Sequence, residues 1–290
     1  MSDGQHAHSM HDALLRDTAL LPAGAVGIDA GMTLTKVVRA TADGIVLEAS
    51  ETHARLRDDA AMLVEADAGA PAGVTGGRLG HLRDGAGVVR VQEIEAGALG
   101  AAALLRSEGR LGDGEFLLAL MGTGTAFAAV RGDRVQHLGG TPMGGGSFAG
   151  IARRVEPALT YDEMIAGAER GDRSKVDTLI SDVYPEGIGR VGPEMTAAHL
   201  TRATEGSLDD FLAGLLNMHA ENIAQIAASR ANMAKILRIV LAGGFAHNNP
   251  RLVASMARMA ELFGMSVEVA PAPGFTGALG AALAAVAAKG

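Results

Sequence analysis

The sequence predicts an α/β protein of two lobes, each opening on a strand–turn–strand unit, and three observations predict it. Strand-like runs alternate with helical ones along most of the chain, which argues against a helix bundle. The layout of residues 25–50, AVGIDAGMTLTKVVRATADGIVLEAS, returns at 116–140, FLLALMGTGTAFAAVRGDRVQHLGG, as strand, small-residue turn, strand, Gly/Asp turn, strand. Forty glycines against 3% aromatics suit a core of Ala, Val, Leu and Ile in which helices lie close on sheets. The chain, at 290 residues, is long enough to bury such a core twice. Two turns aimed into one shared cleft would explain the repetition.

Residues 1–22 read as a mobile extension, and His6, His8 and His11 within it read as incidental rather than as a metal site. Residues 23–112 form the first lobe. Its opening meander is followed by strands at 72–77 and 88–96, then by the helical EAGALGAAALLRSEG, which stops at Gly109. Residues 113–275 form the second lobe, and residues 276–290 a closing helix that packs back on the first. Within the second lobe, residues 150–235 read as mostly helical. Thr160 with Glu163 three positions on is a capping box. Phe211, Leu215, Met218, Ile223 and Ile226 share one face of a helix over 208–233. KILRIVLAGGFAHNN reads as a buried strand running into Gly243–Gly244 and a helix, SVEVA as the last strand, and GFTGALGAALAAVAA as the last helix.

Several function classes fall away. No cysteine is present, which removes disulfides, thiolate zinc sites, iron–sulfur ligation and a cysteine nucleophile. A net charge of −8 disfavours a nucleic-acid backbone binder. No apolar run matches a membrane span, and the first residues lack a signal-peptide layout, so the expected location is the cytoplasm. Neither a G-x-x-x-x-G-K-[ST] loop nor a G-x-G-x-x-G opening a helix occurs.

The remaining chemistry gathers at a few turns. Asp29 ends a buried strand, where a carboxylate is costly unless its charge is offset. Mg²⁺, which takes one or two carboxylates plus phosphate oxygens, would offset it, and capping its own turn is the alternative. Gly122–Thr125, GTGT, combines close backbone approach with hydroxyl donors. Its pairing with residues 29–35 and with LAGGF favours a phosphate site over an ordinary hairpin turn. Glu93 and Glu95 lie at the end of VVRVQEIEA. A carboxylate there can take the proton of an attacking hydroxyl, although pattern alone favours acids flanking a helix start. Gly139–Gly140 and Gly144–Gly146 bracket TPM as an anion-receptive or hinge segment before a helix.

In this order, GIDAGMTLTK, VQEIEA, MGTGTAF, LGGTPMGGG, AERGDRSKVDTLISDVY, LAGGFAHNN and GFTGALGA resemble the type II pantothenate kinases of the actin-like (ribonuclease H-like, sugar kinase/Hsp70/actin) ATPase superfamily, from about residue 25 to 287. The resemblance implies ATP and Mg²⁺ in a cleft between lobes, with Asp29 on the metal side, directly or through water. Gly31, Met32, Thr33, Lys36, Gly122, Thr123, Gly124 and Thr125 would line the phosphates, and Gly243, Gly244 and Phe245 the adenosine. Glu93 would activate the primary hydroxyl of pantothenate, or of a relative such as pantetheine, at the first step of coenzyme A synthesis. Thr123, His137, Gly139 and Gly140 would contact that substrate. AERGDRSKVDTLISDVY would be helical, and a homodimer would form through the 208–233 helix, with CoA or acyl-CoA as an inhibitor.

Two residues depart from the family pattern. Met32 replaces a loop glycine, and would be strained by roughly 1 kcal/mol or more if that position needs a positive φ. His137 replaces an arginine and offers no bidentate fork. A catalytically weakened nucleotide- or CoA-binding regulator, or a kinase of another small hydroxyl compound, is the alternative these departures motivate. An activator of radical dehydratases, or a repressor-related sugar kinase, would bring cysteines that this chain lacks.

Overall fold

The computed structural model describes residues 13–15, 19–51, 69–78 and 87–289; His6, His8 and His11, with most of the expected extension, lie outside them. The first meander is β2 (Val26–Ala30), β3 (Leu34–Ala40) and β4 (Ile45–Glu51), all antiparallel, with β1 (Ala13–Leu15) on the outer side of β4. The chain then adds β5 (Ala72–Thr75) and β6 (Val88–Arg90) parallel on the other side of β2, giving the order β1-β4-β3-β2-β5-β6. The second unit repeats this plan. β7 (Glu115–Met121), β8 (Thr125–Arg131) and β9 (Arg134–Thr141) form an antiparallel meander. β12 (Arg238–Ala242) and β13 (Ser266–Val269) are then added parallel beside β7. The order β9-β8-β7-β12-β13 therefore reproduces β4-β3-β2-β5-β6, and the three-strand meander within it is the repetition expected from the sequence.

Helix α1 (Glu93–Ser107) follows the first sheet, and α2 (Gly145–Val155), α3 (Tyr161–Arg170), α4 (Leu208–Ala234) and α5 (Pro250–Glu261) belong to the second unit. Thr160 and Glu163 cap α3 reciprocally: the threonine hydroxyl accepts from the Glu163 N–H, and the Glu163 carboxylate accepts from the Thr160 N–H. Along α4, Leu215 and Ile223 are buried, and Phe211, Met218 and Ile226 pack at the margin of the same core. No helix among the described residues is long and apolar enough to cross a membrane.

Two expectations about secondary structure fail. Residues 171–207 do not continue the helical run, so AERGDRSKVDTLISDVY is helical only to Arg170. Gly171 must lie against the Asp209 carbonyl, 1.9 Å from where a Cβ would stand, and Gly187 and Gly189 take positive φ. The segment holds instead short 3₁₀ turns and the pair β10 (Thr178–Leu179) and β11 (Thr196–Ala198). It is pinned to α4 by a polar network: Arg173 donates to Thr196 Oγ1, which in turn donates to Glu221. The strand expected over 88–96 also ends early, at Arg90.

The closing helix α6 (Thr276–Lys289) packs against β2 and β5 and crosses α1. Glycines make this possible. A Cβ at Gly27 or Gly73 would stand 1.9 Å from a backbone oxygen of α6, and one at Gly280 would stand 1.8 Å from the Ala96 carbonyl oxygen. Gly280→Ala should accordingly cost about 1–3 kcal/mol by forcing α1 and α6 apart. A lowered denaturant midpoint checks this, and an unchanged one would refute it.

Candidate active site

Five element ends meet at one cleft. Parallel register sets Ala242 of β12 opposite Leu120 of β7, so Gly243 follows at the end where β7 runs into Gly122. The end of β2, the first turn of α1 and the first turn of α6 complete it. The lining residues are Asp29, Lys36, Glu93, Leu120, Gly122, Gly243, Gly244, Gly274, Thr276 and Gly277. Open α/β sheets collect ligands at such strand ends.

Asp29 and Lys36 are direct cross-strand partners on β2 and β3, which brings Lys36 Nζ to 3.3 Å from Asp29 Oδ2. The other oxygen, Oδ1, is buried and has no hydrogen-bond partner among the described residues. Two glycines leave room for this carboxylate. A Cβ at Gly76, which has φ +107°, would lie 2.7 Å from Oδ1, and one at Gly277 would lie 3.0 Å from Oδ2. Sequence reasoning named neither as a site residue. Gly277 falls within GFTGALGA, whose helical pattern carries no sign of its contact with Asp29.

Glu93 is the first residue of α1 and does not lie on a strand, so it shares no strand face with Glu95. The helix starts here because Gln92 adopts an extended backbone and an Ala-rich run follows. The side chain reaches the cleft and remains open to solvent at its mouth. Desolvation on the protein side pushes its carboxyl above the usual range, the Asp29 charge adds to this, and Lys36 opposes it.

The two small-residue turns meet. Thr33 and Thr123 hydroxyl oxygens lie 3.5 Å apart, one from each lobe. Gly31 follows β2, where a Cβ would sit 2.8 Å from the Leu34 carbonyl oxygen. Met32 is half exposed and is not among the residues with positive φ, so the conditional strain does not arise. Gly122 donates its N–H to Gly124 O at 2.8 Å, which closes the 122–124 turn on itself.

Three expectations are corrected. Thr125 is buried and its hydroxyl donates to the Met143 carbonyl at 2.9 Å, so it braces the following loop instead of facing the cleft. Gly144–Gly146 are not anion-receptive: Gly145 and Gly146 donate their N–H groups to the Gly122 and Thr123 carbonyls at 2.8 and 3.0 Å. Phe245 is buried in the core against Phe148, leaving only Gly243 and Gly244 of its group on the cleft. His137, Gly139 and Gly140 lie on β9, the edge strand of the second sheet. Gly140 allows close pairing of β8 and β9, since a Cβ there would stand 2.5 Å from the Thr125 carbonyl oxygen.

Among the described residues there is no cluster of three or more metal-ligating side chains. A cation would depend on Asp29 and on oxygens brought by a ligand.

Comparison with known proteins agrees with this geometry. The Fumble family model matches residues 115–284. A type II pantothenate kinase of Oceanobacillus iheyensis is 28% identical over 262 residues, covering 89% of this chain and 98% of that one. Among solved structures, the activator of the 2-hydroxyisocaproyl-CoA dehydratase from Clostridium difficile with bound ADPNP superposes with a TM-score of 0.60 at 18% identity, covering 91% of this chain and 94% of that one. A ROK hexokinase from Thermus thermophilus follows at 0.54 and 17%, covering 92% and 99%. At these identities the structural likeness shows the fold alone, which is the two-lobed actin-like ATPase fold.

Proposed function

Because this chain belongs to the Fumble family, the type II pantothenate kinases, we propose that its cleft transfers the γ-phosphoryl group of ATP to the primary hydroxyl of pantothenate or of a close relative such as pantetheine. One observation carries the reading: the Glu93 carboxyl shares a cleft with the Asp29–Lys36 pair and with the Gly122 turn. The relatives named pantothenate kinase support the choice of substrate.

Glu93 is the general base in this proposal, accepting the hydroxyl proton as the phosphorus–oxygen bond forms. Lys36 faces the transferring group, and the Thr33 and Thr123 hydroxyls donate to phosphate oxygens. Gly31, Met32 and Gly124 bring backbone to the same phosphates, and Gly243 and Gly244 leave room on the nucleoside side. Asp29 Oδ1, buried and without a partner among the described residues, fits Mg²⁺, which seeks one carboxylate oxygen beside phosphate oxygens. When bound, the ion supplies neutralisation of phosphate charge. Residues 23–112 with the closing helix and residues 113–275 act as the two lobes that close on ATP. A homodimer, cytoplasmic location and inhibition by CoA or acyl-CoA complete the proposal. Leu208 and Met233 are exposed on the otherwise mostly buried α4 and are available to a partner.

The test is ADP release from Mg-ATP with pantothenate, pantetheine or pantoate, against a control without acceptor. Turnover dependent on pantothenate or pantetheine is expected. Silence with all three alongside measurable ATP or acyl-CoA binding would replace the kinase by a nucleotide- or CoA-binding regulator.

A further inference from the structure

We infer that His219 is a positioning residue of the nucleotide site: through Ser147 it holds the start of α2, and through Phe245 it holds the Gly243–Gly244 turn, so one buried imidazole sets two walls of the cleft. The inference rests on the reading of that cleft as an ATP site.

His219 lies on α4 with Nδ1 2.9 Å from the Leu215 carbonyl oxygen and Nε2 2.9 Å from Ser147 Oγ. A carbonyl only accepts, so Nδ1 carries the proton. The neutral ring then presents a bare Nε2, which accepts the Ser147 O–H. Burial holds the imidazole below its ordinary pKa, the Leu215 bond opposes this, and the His199 charge adds to it.

Two paths lead from this ring to the cleft. On one, Ser147 Oγ accepts the Gly144 N–H at 3.1 Å and seats the first turn of α2. Gly145 and Gly146 of that turn donate to the Gly122 and Thr123 carbonyls, which ties the 122–124 turn to the start of α2. Their fit is tight, since a Cβ at Gly146 would stand 2.4 Å from Thr123 Cγ2. On the other path, the ring meets Phe245 edge-on, with centroids 6.2 Å apart, and is backed by Phe148 at 5.9 Å. Phe245 lies 3.5 Å from where a Cβ of Gly145 would stand, and it follows Gly244 on the cleft wall. Both paths end where phosphates and nucleoside are expected, and neither runs through Glu93 or Asp29. Disturbing His219 should therefore change nucleotide affinity and spare the acceptor.

The experiment measures Mg-ATP affinity by calorimetry, with kcat and KM for ATP and acceptor, on the full chain and on Ser147→Ala, Ser147→Thr, His219→Phe and His219→Gln. Ser147→Ala and His219→Phe are expected to weaken Mg-ATP binding about tenfold, the scale of one lost buried hydrogen bond, with acceptor KM unchanged. Ser147→Thr keeps the hydroxyl and His219→Gln keeps an acceptor, so both should recover most of the loss. The double variant Ser147→Ala/His219→Phe should lose less than the sum of the two singles, because both remove the Ser147–His219 bond. Should the His219 variants fold poorly, the Ser147 pair reads the same link. Lower melting temperatures with intact Mg-ATP affinity would reduce His219 to a core residue and overturn the inference. An equal rise in both KM values would overturn it too. Absence of Mg-ATP binding by the unsubstituted chain would instead sink the functional reading, and this inference with it.

Discussion

Glu93→Gln is expected to lower kcat by about 10²–10⁴-fold, the usual scale for a lost general base, with ATP affinity nearly unchanged. Glutamine fills the same space at the head of α1 but cannot take the proton of the attacking hydroxyl. The raised pKa adds a pH signature in the parent enzyme. Glu93 must be ionised to act, so kcat/KM should fall as pH drops through its raised value, above the ordinary 4.5. Stability runs the other way. The folded chain binds this proton more tightly than the unfolded chain does, so the Glu93 contribution is fully present below pH 4.5 and declines as pH rises through the folded value. Glutamine stays neutral throughout. Glu93→Gln should therefore melt higher than the parent at neutral pH and show no such gain below pH 4.5. Steady-state kinetics and calorimetry at both pH values check this. Unchanged turnover would remove Glu93 from the mechanism.

Asp29→Asn should lower kcat/KM by about 10²–10³-fold, on the scale of losing one pre-placed electrostatic group. Asparagine fits the space between Gly76 and Gly277 but no longer offsets Lys36, whose ammonium lies 3.3 Å from Oδ2. Both partners are largely shielded from solvent, so the single change leaves a cation without its counter-charge and should also lower stability. Asp29→Asn/Lys36→Met should regain stability without regaining activity. A third readout ties the two carboxylates together. The Asp29 charge helps raise the Glu93 pKa, so its removal should move the acid limb of the residual pH–rate profile to lower pH. An unmoved limb would mean that the two groups do not share one electrostatic environment.

Much of the site was legible in the linear pattern. The Asp29 strand end and the Gly122 turn were read from pattern and Lys36 from the resemblance; a short turn between β2 and β3 sets the register that pairs Lys36 with Asp29. Glu93 was identified as a base by resemblance to a family motif, while pattern alone favoured an acid at a helix start, which is where it lies. VVRVQEIEA has the β-branched opening of a strand, and only the Ala-rich run after it converts the end into a helical first turn. Thr125 and the glycines at 144–146 were misassigned for a related reason. Their types suit phosphate contact, but their donors are consumed by Met143, Gly122 and Thr123, which lie nearby only after β9 returns the chain to the loop. Gly76 and Gly277 went unnamed because what they leave room for is a carboxylate distant in sequence.

By itself the sequence determined what depends on neighbours along the chain: the repeated meander, the Thr160–Glu163 cap, the α4 stripe and the residue types at the turns. Only the tertiary structure decided which polar groups remain free to act. It leaves Asp29 Oδ1 without a partner among the described residues, closes α2 onto the 122–124 turn, and buries His219 between Ser147 and Phe245. Whether a donor or acceptor is spent inside the fold depends on contacts between segments far apart in the chain, and no local pattern carries that information.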